Sequence, residues 1–114
     1  RFVSKNGASL VHSGDSGPCE ALYDAIAKSE LAVVEMGLPE WVDSDHHHKP
    51  SDIRSLAELY PKTKMVITHT FIDDKNSKFP TITESEFPTH PVNVHHASDG
   101  NSFHWENGDW KQVE

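Results

Sequence analysis

Nine histidines in 114 residues set the first question, because imidazole is the commonest metal-binding side chain and the natural proton carrier near neutral pH. Three of them, His46, His47 and His48, stand in a row ahead of Pro50. A fourth, His69, closes the apolar run Met65-Val66-Ile67-Thr68. Two acids have comparable placements: Asp15 in Gly14-Asp15-Ser16-Gly17-Pro18, and Glu35 directly after Leu31-Ala32-Val33-Val34. Carboxylates and imidazoles are donors for hard or borderline divalent cations, and a carboxylate beside an imidazole can move protons. The bland readings are a capping or turn aspartate and structural or surface histidines.

These residues need elements to hold them. Asn6-Gly7 between Phe2-Val3 and Ala8–His12 reads as a β-hairpin. After Pro18, Leu22, Ala25 and Ile26 recur at helical spacing, so a helix runs to about Lys28-Ser29. The continuous apolar run Leu31–Val34 reads as a strand buried on both faces, and residues 36–49, with Gly37 and Pro39 but no periodicity, as a functional loop. Pro50 and Asp52 suit a first helical turn, and Ile53, Leu56, Ala57 and Tyr60 trace one apolar face up to Pro61. Lys64–Thr68 follows as a strand. The order is β-β-α-β-α-β, with Asp15, Glu35 and His69 after successive strands. In layered α/β folds that carboxyl edge is where ligands gather, and His47 or His48, at the entry to the second helix, can converge on it.

Residues 72–91 are polar and proline-containing and read as a long excursion. Val92–Ala97, Asn101–Trp105 and Asp109–Val113 read as three short strands joined by turns at Ser98-Asp99-Gly100 and Glu106-Asn107-Gly108. His12 is assigned to structure or to supporting the site from behind, His95, His96 and His104 to structure, and Trp105 and Trp110 to covering the sheet or facing a missing domain.

Composition narrows the function. A formal charge of −8 opposes a broad electrostatic grip on nucleic acid. No apolar run approaches the roughly 18 residues of a membrane helix, and no signal-peptide layout opens the chain, so no membrane partner is expected. The single cysteine, Cys19, cannot form an internal disulfide, which agrees with a cytoplasmic protein.

The succession strand–Gly14-Asp15-Ser16-Gly17-Pro18–helix–Val33-Val34-Glu35–loop–His46-His47-His48-Lys49-Pro50–helix–Val66-Ile67-Thr68-His69-Thr70 resembles the C-terminal half of the metallo-β-lactamase superfamily. The similarity is to its branch of ribonuclease Z and the cyclic-nucleotide phosphodiesterases of that fold, and covers roughly residues 1–70. The resemblance implies that Asp15 bridges two metal ions and that His69 ligates the second. It also implies that Glu35 and His47, three residues before Pro50, assist proton transfer, with His46 and His48 held open because three consecutive histidines blur the register. Lys49 departs from the pattern, standing where a Ser or Thr cap is usual.

The family's His-x-His-x-Asp-His motif is absent from the sequence. The expected architecture is therefore α/β: residues 1–114 form one half of a four-layer αββα sandwich, a mixed sheet with helices on one face, the N-terminal half being absent. The implied activity is hydrolysis of a phosphodiester or other small molecule by the full-length protein, with two divalent ions, zinc first and manganese or iron as alternatives. Thioester, lactone or β-lactam hydrolysis is the second choice, and a non-catalytic, self-associating or partner-dependent module the third. The chain alone is expected to be inactive and to pair as a homodimer in place of its missing half. Asp15 and His69 are expected close together, at the ends of neighbouring strands.

Overall fold

A computed structural model describes residues 1–70, 91–97 and 100–113. Among these residues nine elements follow in chain order: β1 Phe2–Val3, β2 Ser9–His12, α1 Glu20–Ala27, β3 Leu31–Glu35, α2 Pro50–Leu59, β4 Lys64–Thr68, β5 Val94–His96, β6 Ser102–Glu106 and β7 Asp109–Val113. The excursion expected over residues 72–91 lies outside the described residues apart from Pro91, as do Ser98 and Asp99 of the expected turn. Among the described residues no helix is long and apolar enough to cross a membrane.

The fold is α/β, with a mixed five-stranded sheet in the order β1-β2-β3-β4-β5. β1 runs antiparallel to β2, and β2 through β5 are mutually parallel. α1 and α2 supply the crossovers that the parallel neighbours β2–β3 and β3–β4 need. Register puts Val11, Ala32, Met65 and Val94 in one row and Val34 and Ile67 in the row two residues on, so these side chains share a face. On that face they join Leu22 and Ile26 of α1 and Ile53, Leu56 and Ala57 of α2 in one core. Ile26, Ile53, Met65 and Ile67 are wholly buried, each contributing about 1.5–3 kcal/mol.

α2 starts without the usual Ser or Thr. Asp52, three residues in, accepts from the Lys49 backbone N–H at 2.9 Å, the half of a capping box that needs no N-cap hydroxyl. Beyond its other end, the Asn93 side-chain amide donates to the carbonyls of Ala57, Tyr60 and Thr63 at 3.2, 3.2 and 3.0 Å, meeting acceptors that a helix end leaves open.

The opposite face carries Leu10, Leu31, Val33 and Val66. β6 and β7 form a separate antiparallel hairpin that lies against it: the Trp110 indole N–H donates to the Ser9 carbonyl at 3.2 Å, the Lys64 ammonium donates to the Trp110 carbonyl, and His95 meets Phe103 edge to face. The three strands expected at the end of the chain thus divide, β5 completing the main sheet and β6–β7 partly covering it.

Candidate functional site at the carboxyl edge of the sheet

The ends of β2, β3 and β4 are stitched together. The Ser13 N–H donates to the Val33 carbonyl at 2.9 Å, the Met36 N–H donates to the Thr68 carbonyl at 3.1 Å, and the Ser13 hydroxyl oxygen accepts from the Glu35 N–H at 3.1 Å. Asp15 and His69 therefore follow, and Glu35 closes, three hydrogen-bonded strand ends. The expectation that Asp15 and His69 follow neighbouring strands is corrected: β3 stands between β2 and β4, because each crossover helix returns the chain to the adjacent position. Asp15 and His69 are exposed, and Glu35 is buried between their strands.

Glu35 is gripped at both carboxylate oxygens. Oε2 accepts from the Gly37 N–H at 2.8 Å, and Oε1 from the His48 N–H at 3.0 Å. The His48 ring nitrogen Nδ1 lies 3.5 Å from Oε1. His47 Nδ1 comes within 3.2 Å of Oε2 but out of line for a hydrogen bond, so that attraction is electrostatic. Burial alone would raise the Glu35 pKa, but the hydrogen bonds from His48 and Gly37 and the nearby His47 outweigh it and hold the carboxyl below its ordinary value.

Two glycines shape this edge by the space they leave. A β-carbon on Gly37 would sit 3.1 Å from Glu35 Oε2 and 3.5 Å from both His47 Nδ1 and His69 Cδ2. Glu35, His47 and His69 thus border one small space. A β-carbon on Gly17 would lie 1.9 Å from the Asp45 carbonyl oxygen, so the turn bearing Asp15 packs directly on the backbone of the histidine loop. His69 itself adopts φ 55°, uncommon for a residue with a side chain and placed where β4 ends. Beside the contact, Pro18, Asp43, Ser44, Asp45, Lys49 and Asp52 line an open cleft of about 480 Å³.

Of the histidine row, His46 is exposed, His47 is partly exposed and His48 is fully buried. The spacing to Pro50 selects His47, and His47 does approach Glu35; His48, held open in the sequence, is a second contact on the same carboxylate. Gly17 and Gly37 were missed as site-shaping residues, although a glycine beside each candidate acid or loop is the kind of signal that marks close approach.

The donor set bears on metal. A carboxylate and an imidazole have the right chemistry for zinc, manganese or iron. Among the described residues, however, no group of three or more His, Cys, Asp and Glu side chains is arranged to hold an ion, and catalytic zinc usually takes three protein ligands. Asp15 and His69 have the donor chemistry for two of such ligands, which is fewer than a whole centre needs.

No family model matches the chain. What fold and site define is a layered α/β protein with acids and histidines at the carboxyl edge of its parallel strands. Among proteins of known name, the chain is similar to the Ribonuclease Z of Methanosarcina acetivorans, 30% identical over 67 residues, which are 55% of this chain and 22% of that protein. The chain thus spans about a fifth of the relative's length.

Proposed function

We propose that this chain is the C-terminal half of a metallo-β-lactamase-fold hydrolase acting on phosphodiesters, one half of an αββα sandwich whose other half supplies the remaining metal ligands. The observation that carries the reading is the approach of His47 to a buried, ionised Glu35 beside His69 at the carboxyl edge. The partial likeness to a ribonuclease Z supports the substrate class.

In this reading Asp15 and His69 are metal ligands, and Glu35 and His47 form the proton-transfer pair. When bound, divalent cations supply Lewis acidity and make water acidic enough to attack near neutral pH. Glu35, fixed at both oxygens, orients and electrostatically supports His47. His47, partly exposed, accepts or returns a proton at the substrate side. The Gly37 backbone leaves the room that this exchange requires. Asp15, Asp43, Asp45 and Asp52 make the approach acidic, so an anionic substrate needs bound cations to reverse the local sign.

The test compares this chain with a longer protein that restores an upstream segment bearing the His-x-His-x-Asp-His motif. Metal content and turnover of a chromogenic phosphodiester, a thioester and a lactone are measured side by side. The reading expects at most weak metal binding and no turnover for the chain, and metal with phosphodiester turnover for the longer protein, both lost in Asp15→Ala and His69→Ala. Thioester or lactone turnover without phosphodiester turnover would replace the substrate class. Equal turnover by the isolated chain would refute the half-site.

A further inference from the structure

His48 is a wholly buried residue next to the proposed proton carrier and is not assigned a role in that reading. Its backbone N–H meets Glu35 Oε1 at 3.0 Å, and its ring turns Nδ1 toward the same oxygen at 3.5 Å. The ring stacks on Tyr23 of α1, with centroids 6.1 Å apart and planes 26° from parallel. Among the described residues its other nitrogen, Nε2, is buried without a hydrogen-bond partner.

Two physical points follow. A ring nitrogen facing a carboxylate oxygen must carry the proton, because two lone pairs at that separation repel. The neutral ring therefore holds its proton on Nδ1, aimed at Glu35, and leaves Nε2 bare. The ring also keeps water from Oε1, and a hydrogen bond to an ionised group gains strength in a poorly hydrated place. His47 and His48 thereby take different tasks on one carboxylate, His47 reaching outward from Oε2 and His48 closing the inside at Oε1.

We propose that His48 is a positioning residue: it locks the Glu35 carboxylate from the interior, through its ring and its backbone N–H, so that Oε2 is presented to His47. The proposal rests on the reading of Glu35 and His47 as the proton-transfer pair for its purpose, but its geometry can be tested without metal, substrate or turnover. Failure of one is thus distinguishable from failure of the other.

The experiment uses the chain itself, labelled with ¹⁵N. Long-range ¹H–¹⁵N correlation reads the His48 tautomer, and amide hydrogen exchange reads the Gly37 N–H, which donates to Oε2 at 2.8 Å and so reports where the carboxylate sits. We expect the Nδ1–H tautomer in the unaltered chain. In His48→Leu, which keeps the bulk and loses the donor, Gly37 exchange should rise about tenfold or more, the scale of one lost hydrogen bond to a charged group, while Met65 and Ile67 amides in the β3–β4–β5 ladder keep their rates. His48→Asn, whose side-chain N–H₂ overlays Nδ1, should restore Gly37 protection. A purely structural role would instead accelerate the Gly37 and ladder amides together, or leave the Gly37 amide unchanged. Either result overturns the proposal, as does His48→Asn behaving like His48→Leu. If His48→Leu does not fold, the tautomer still decides: an Nε2–H ring cannot donate to Glu35, and finding one refutes the inference.

Discussion

Gly17→Ala tests the contact that ties the Asp15 turn to the histidine loop. The added β-carbon would stand 1.9 Å from the Asp45 carbonyl oxygen, 2.7 Å from the Asp45 carbonyl carbon and 2.8 Å from the His46 carbonyl carbon. All three are backbone atoms, so no side chain can rotate away. Restoring even a tight contact of about 3 Å requires the carbonyl to retreat by roughly 1 Å, a displacement of the kind that makes overpacking cost about 1–3 kcal/mol. Alanine returns about 0.4–1 kcal/mol by restricting the unfolded chain, leaving a net loss of about 1–2 kcal/mol. At about 4–8 °C per kcal/mol for a domain of this size, Tm should fall by roughly 5–15 °C. Thermal unfolding followed by circular dichroism measures the fall. Amide shifts should also move from Asp45 to His48, because a displaced loop pulls on the residue that holds Glu35. A variant as stable as the parent, with unshifted loop amides, would refute the close approach and with it the coupling of the two loops.

Other expectations follow from single contacts. Asn93→Ala removes the donor shared by three carbonyls at the end of α2 and should cost about 1–2 kcal/mol in urea unfolding; Asn93→Asp, which turns an acceptor on the same carbonyls, should cost more. Because the folded pKa of Glu35 is depressed, its contribution is full above the ordinary glutamate value and lost as pH falls through the lower folded value. Stability of the parent should accordingly fall over that acid window, and Glu35→Gln should flatten this part of the profile. Trp110→Phe loses the indole N–H bond to Ser9 and should cost about 0.5–1.5 kcal/mol, seen as faster amide exchange in β6 and β7 before the five-stranded sheet opens.

Local pattern made the central strands and helices legible. Leu31–Val34 is continuously apolar and β3 is buried on both faces; Pro50 with Asp52 marked the start of α2, and its apolar positions Ile53, Leu56 and Ala57 are its buried ones. Strand order was less legible, because periodicity says which way a side chain faces but not which strand is adjacent. Nothing in the patterns of β2 and β4 says that β3 lies between them. The fate of β5, β6 and β7 was hidden similarly: short alternating segments do not announce whether they extend a sheet or cover it. Within the histidine row, nothing local sets the phase. It is set at a distance, by Gly17 under Asp45 and by the two Glu35 oxygens, so burial of His48 and partial exposure of His47 emerge only from the folded chain.

The state of Glu35 decides how labour divides at the site. A general base works best with a pKa near the operating pH, whereas the hydrogen bonds from His48 and Gly37 hold Glu35 below the ordinary carboxylate range despite its burial. At neutral pH it is ionised and a weak proton acceptor. What a fixed, ionised carboxylate can do is hold an imidazole beside it in one orientation. His47 is the ring within 3.2 Å and retains access to solvent, whereas the His48 ring has none. The proton-transfer role proposed above for His47, with Glu35 holding it, fits that difference in exposure. Burial thus separates the three residues, with Glu35 and His48 enclosed and His47 reaching solvent.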